Sequence, residues 1–315
     1  MPVDAVVVDG RPGLTWMDMS DVELKEPFFQ QTVDRVRDEE PWRDAGLFTQ
    51  FDALLQLDQV LPRVQPSGFI FHSSRCGSTL VANVCRALDD AIVVSEANPI
   101  DKLVARFITD GGDPVKESLY SVLLRAVVNA LAYRKSGNES RLFVKFSCCG
   151  VSQLERIRRI WPAVPWIFLY RDPVETIVSN MTTVPAWLLD EDHRILAHIT
   201  GTTPAAVAEM SLEERCARSI GSFYSTAHGV ANDHGMLLNY NQISVTNILD
   251  FFNVSPSAEE LERITSGSRV YSKEVSGARE FVPDAEAKQN SASNRIRQLV
   301  EEFAIGPYQL LERKS

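Results

Sequence analysis

The chain has no run of about 18 uninterrupted apolar residues, the length a membrane-crossing helix needs. Its first residues, MPVDAVVVDGRPG, lack the basic segment followed by a long apolar one that marks a secretory signal. Cysteine is scarce: Cys76, Cys85, Cys148, Cys149 and Cys216 are odd in number, form no CxxC pair and share no ligand spacing with histidine. That scatter argues against a disulfide framework or zinc module and points to reduced thiols in the cytoplasm. Adjacent Cys148 and Cys149 read as small strand-end residues rather than as a redox pair. Positive charge is also short, with 32 Lys and Arg against 42 Asp and Glu and a net charge of −10. General binding to nucleic acid or to an anionic membrane is therefore not expected. An anionic ligand would need a local cluster of cations. No internal repeat or low-complexity segment is visible.

What remains is globular: 44% hydrophobic and 23% charged residues over 315 positions, enough for one large α/β core. Residues 1–66 read as a helical lead-in, because 27–37 and 50–61 carry apolar residues at three- and four-residue intervals. Pro62 and Pro66 end it. Residues 67–315 then read as a single α/β domain. Short apolar runs at 68–74, 91–95, 141–147, 166–171 and 235–240 have strand length. Helical spacing falls at 77–88, 114–135, 151–161, 173–181 and 211–234. Strands separated by helices imply a mostly parallel sheet of about five strands with helices on both faces, a three-layer sandwich. Ligands of such sheets bind beyond the carboxyl ends of the strands. That draws attention to 72–79, 95–98, 145–147, 171–172 and Tyr240.

The stretch HSSRCGST (72–79) joins an apolar strand to a helix and is rich in small residues. Backbone N–H groups at such a turn can face a phosphate, and the helix N-terminus adds a favourable dipole. Arg75 brings fixed positive charge, Gly77 permits close approach or positive φ, and Ser78 and Thr79 bring hydroxyls. Ser78 stands where GxxxxGK[ST] requires lysine, so this is not the loop of an ATPase or GTPase. Arg75–Cys76–Gly77–Ser78–Thr79–Leu80 resembles the 5′-phosphosulfate loop of the sulfotransferases that use 3′-phosphoadenosine 5′-phosphosulfate (PAPS). The arginine form is similar to the tyrosylprotein and bacterial glycolipid branches. The resemblance implies a P-loop fold and a 5′-phosphosulfate held by Arg75 and by the loop through Cys76, Gly77, Ser78 and Thr79. Cys76 replaces the family's usual serine and is a weaker side-chain partner.

WIFLYRDPVETIVSN (166–180) carries the second motif. Sulfotransferases place an arginine at a strand end and a serine eight residues later on the 3′-phosphate, and Arg171 and Ser179 have that spacing. A guanidinium suits a phosphate through two parallel hydrogen bonds. The alternative is an Arg–Asp surface pair before an ordinary helix. ATP has no 3′-phosphate, so this pair separates a sulfotransferase from a kinase.

Transfer to a hydroxyl or amine needs a base. The phenol branch uses a histidine two residues after a strand-end lysine; here Lys145 is present and Ser147 occupies the histidine's position. The other branches use a glutamate after the second strand, and Glu96 follows 91–95. The resemblance implies Glu96 as general base and Lys145 as the cation on the bridging oxygen of the leaving phosphate. The competing readings are that Glu96 caps a helix near Pro99 or pairs with a loop cation, and that Lys145 reaches solvent. Asn241 and Gln242 replace the acids of the family's Tyr-Glu-Asp-Leu strand end, and no role is carried onto them. The family's late adenine loop is not recognisable, with Lys273, Arg279 and Lys288 as loose candidates.

The expected function is therefore sulfuryl transfer from PAPS to an unidentified acceptor, without a required metal, a nucleic acid or a membrane span. A phosphotransferase with a degenerate loop and a non-catalytic nucleotide-binding protein are the alternatives. The insertion 182–210, with Trp187, Leu188 and Leu189, reads either as a lid over an acceptor or as packing on the lead-in.

Overall fold

A computed structural model of the chain describes residues 1–62, 64–132, 134, 137–267 and 285–315. In chain order the first elements are β1 (Pro2–Val8), β2 (Arg11–Trp16), α1 (Phe29–Glu39), β3 (Leu47–Gln50) and α2 (Phe51–Asp58). Next come β4 (Pro66–His72), α3 (Ser78–Arg86), β5 (Ala91–Ser95), α4 (Asn98–Thr109), α5 (Pro114–Leu131), β6 (Arg141–Lys145) and α6 (Leu154–Ile160). They are followed by β7 (Trp166–Tyr170), α7 (Pro173–Thr182), α8 (Ala186–Leu189), α9 (Arg194–Thr200), α10 (Pro204–Glu209), α11 (Leu212–Val230) and β8 (Gly235–Asn239). The chain closes with α12 (Val245–Phe251), α13 (Ala258–Gly267), α14 (Ala285–Ser291), α15 (Asn294–Phe303) and α16 (Ile305–Glu312).

This is the α/β class expected, with five strands ordered β5-β6-β4-β7-β8. The strand pairs β5–β6 and β7–β8 are parallel, with Ser95 level with Lys145 and Tyr170 level with Asn239. The runs FIF, LFV and WIFLY are entirely buried, as parallel strands covered on both faces require.

Residues 1–66 depart from a purely helical lead-in. They contain α1 and α2, and also a three-stranded antiparallel sheet, β1-β2-β3. The two-residue connection Asp9–Gly10 has φ of 49° and 74°, both in the left-handed region, which gives the twist that antiparallel partners need. Pro12 and Gly13 hide β2 from a propensity reading.

Compactness divides the chain into two units. The first holds 1–69, 79–147 and 254–279; the second holds 70–78, 148–253 and 280–315. In the first, β1 pairs with β2, β5 with β6, and α4 packs on α5. In the second, α11 is the central helix, packing on α7, α9, α15 and α16. All five cysteines carry free thiols; Cys76, Cys85, Cys148 and Cys216 are buried and Cys149 is partly exposed. No helix among the described residues is long and apolar enough to cross a membrane.

Candidate functional site

β4 ends at His72 and α3 begins at Ser78, so the connecting turn has little freedom. Ser74 and Arg75 sit at φ 74° and 50°, and Gly77 at 84°. Two successive non-glycine residues in this region cost about 1–3 kcal/mol each, so their surroundings must hold them there. They do. The Ser73 amide donates to the Leu169 carbonyl at 3.0 Å, and the Ser74 amide to His72 Nδ1 at 3.1 Å. Ser74 Oγ donates to Asn180 Oδ1 at 2.9 Å, and Arg75 Nη2 to the Thr183 carbonyl at 2.9 Å. Cys76 is fully buried, its thiol donating to the Leu169 carbonyl at 3.2 Å, so only its backbone is offered to a ligand. Backbone of this shape turns amide groups into an anion-binding concavity. A Cβ at position 77 would meet Ile243 Cδ1 at 2.8 Å and Tyr240 Cδ2 at 3.0 Å, so glycine is required on both counts. Among the described residues Thr79 Oγ1, at the start of α3, is buried without a hydrogen-bond partner.

The same unit carries Arg171 and Ser179. Asp172 caps α7, accepting from the Val174 and Glu175 amides at 2.9 and 3.2 Å, and Pro173 takes the first helical position. Arg171 is only 4% exposed. Its Nε donates to Glu175 Oε2 at 2.6 Å, and its guanidinium lies 4.3 Å over the Tyr240 ring. Its carbonyl accepts from Tyr224 Oη at 2.5 Å. The sequence reading anticipated Arg171 at the strand end but not Glu175, which already balances part of its charge. Ser179 is partly buried on α7. Its neighbour Asn180, missed in the sequence, is fully buried and joins Ser74 to α7. Polar asparagine inside an apolar helix face was the available signal.

In the other unit Glu96 also has a left-handed backbone, φ 51°. Its amide donates to the Lys145 carbonyl at 2.8 Å, and its Oε1 accepts from Lys145 Nζ. Lys145 is 1% exposed and its ammonium lies 4.8 Å over the Phe28 ring. Lys145 is thus buried rather than reaching solvent, and the cation that Glu96 pairs with is this strand-end lysine, not one in a loop. Asp101, in the first turn of α4, joins this group and was not singled out in the sequence. Burial pushes its carboxyl up to about 7 and the Glu96 charge adds to this, while Ser147 and then Lys145 pull it back. Its Oδ1 has no hydrogen-bond partner.

The insertion 182–210 forms α8, α9 and α10, and packs on α11. The Trp187 ring is tilted against that of Phe223, with centroids 6.1 Å apart, and Arg215 donates to the carbonyls of Val207, Leu188 and Ala208 at 3.0–3.3 Å. Leu188 is buried and Leu189 exposed. Asn241 and Gln242 are exposed. Lys273 and Arg279 lie outside the described residues; Lys288 lies on α14.

No protein-family model matches the chain, and no curated protein matches it. Among solved structures it is similar to the mouse sulfotransferase SULT7A1 complexed with PAP, at 15% identity over 86% of this chain and 97% of that one, TM-score 0.44. It is similar to sulfotransferase STF9 from Mycobacterium avium at 9% identity over 87% and 84%, TM-score 0.46. A third, sulfotransferase STF1 from Mycobacterium tuberculosis, is 13% identical over 81% of each chain, TM-score 0.43. At such identities and scores, function has to be read from the residues themselves.

Proposed function

We propose that this chain moves a sulfuryl group from PAPS to a hydroxyl or amine acceptor. The observation that carries this reading is the turn 72–78, an anion-binding concavity with arginine in it and no lysine after Gly77. Arg75, the loop amides and Thr79 would hold the 5′-phosphosulfate end of the donor, and Arg171 and Ser179 the 3′-phosphate. Glu96 takes the acceptor's proton as the acceptor atom bonds to sulfur. The bond from sulfur to the bridging oxygen breaks, and its electron pair stays with the departing phosphate. Lys145 balances the charge that develops there, a role suited to a preorganised buried cation. The strained backbone of Glu96 and its ion pair with Lys145 support a positioned base.

Calorimetric titration with adenosine 3′,5′-bisphosphate, and separately with ATP and Mg²⁺, tests this. Micromolar binding of the bisphosphate, lost in Arg171→Ala and absent for ATP, is expected. Binding of ATP alone would replace the reading with a phosphotransferase, and binding of neither with a non-catalytic protein.

A further inference from the structure

Arg86 lies in the last turn of α3, where the helix dipole favours a cation. Among the described residues no carboxylate lies within ion-pair distance of it. Its Nη1 donates to Asn83 Oδ1 and its Nη2 to Ser95 Oγ at 3.3 Å, while its Nε is buried with no hydrogen-bond partner. Burial draws its pKa below the ordinary arginine value. Glu26, whose charge reaches it, is already held by Arg35 and Thr32, each at 2.5 Å. Arg86 is half-buried, and a guanidinium partly withdrawn from water with no carboxylate beside it is a ready partner for an anion.

Two cavities of the first unit meet at this side chain. One of about 640 Å³ and one of about 300 Å³ are both lined by Arg86 and Lys25. Both volumes are in the range of small-molecule sites. Among the described residues the smaller is lined also by Arg263 and by no carboxylate. The larger has aliphatic walls from Val22, Leu24, Leu88 and Ile92. Its carboxylates are Glu23, Asp89 and Glu139; Glu23 pairs with Lys25 and Asp89 with Arg263, each at 2.5 Å.

We propose that Arg86 anchors a binding site for an aliphatic carboxylate, its head group on the guanidinium and its chain along the apolar walls of the larger cavity. The planar carboxylate matches the fork of a guanidinium, and Lys25 adds charge at the rim. No step of sulfuryl transfer uses this site, so it stands or falls separately from that reading.

Titration of the full chain with octanoate, acetate and octanol decides it. Octanoate should bind at least about tenfold more tightly than either control, and Arg86→Met should remove that advantage. Lys25→Glu, at a side chain 73% exposed, should weaken octanoate about fivefold without disturbing the fold. Without ligand, Arg86→Met should melt no lower than the parent, since it deletes an uncompensated charge. Octanoate binding no tighter than octanol, or equal affinity in Arg86→Met, would overturn the proposal. Should Arg86→Met not fold, an unchanged affinity in Lys25→Glu overturns it alone.

Discussion

Six described non-glycine residues have positive φ, and three of them are Ser74 and Arg75 in the turn after β4 and Glu96 after β5. Such backbone survives only where its surroundings over-determine it, and concentrates where geometry serves chemistry. Beside Glu96, Asp101 makes a prediction about pH. Its carboxyl is raised from 3.8 to about 7 in the folded chain. Below pH 4 it is protonated folded or unfolded and has no effect on the balance. Between about pH 4 and 7 the unfolded chain releases the proton and the native one retains it, so stability falls as pH rises. Asp101→Asn removes that decline. Its melting temperature relative to the parent should therefore climb by several degrees between pH 5 and pH 8. An equal difference at both pH values would show that Asp101 titrates normally.

Among the elements, α11 has the most to hold. It supports Arg171 through Tyr224, and it carries the insertion through Phe223 and Arg215. Its Gly221 has no room for a side chain: a Cβ there would drive into the Phe303 carbonyl oxygen and reach Ala304 Cα at 3.4 Å. Both obstacles are backbone, which does not yield as a flexible side chain does. Gly221→Ala gains about 1 kcal/mol of helix propensity and loses about 1–3 kcal/mol or more to overpacking. The expected result is a lower melting temperature, read by calorimetry, together with weaker bisphosphate binding because Tyr224 shifts with the helix. A variant as stable as the parent would mean that α15 and α16 can move aside. The insertion also shows why its role was not legible in advance. Trp187 and Leu188 are apolar enough for a lid over an acceptor or for packing on the lead-in, and their contacts with Phe223 and Arg215 of α11 were in neither reading.

Across the whole chain, the alternation of strands and helices was readable because each buried strand is a short apolar run and each helix has its own period. The N-terminal sheet was not, since α1 and α2 dominate the pattern and β2 contains Pro12 and Gly13. The Asp9–Gly10 pair was the overlooked hairpin signal. Arg75, Gly77, Arg171, Glu96 and Lys145 were legible as motif positions. Asn180, which accepts from Ser74, Glu175, which accepts from Arg171, and Asp101, which feels the Glu96 charge, were not, because a partner's identity depends on which helix face meets which strand end. The burial of the thiols has one further consequence. Cys149 is open to a reagent in the native state, whereas Cys76, Cys85, Cys148 and Cys216 are enclosed, and burial pushes the Cys85 and Cys216 thiols up to about 12. An alkylating agent followed by mass spectrometry should therefore add one label quickly. The other four should follow only as fast as the chain opens, so the protein carries a built-in clock for its own unfolding.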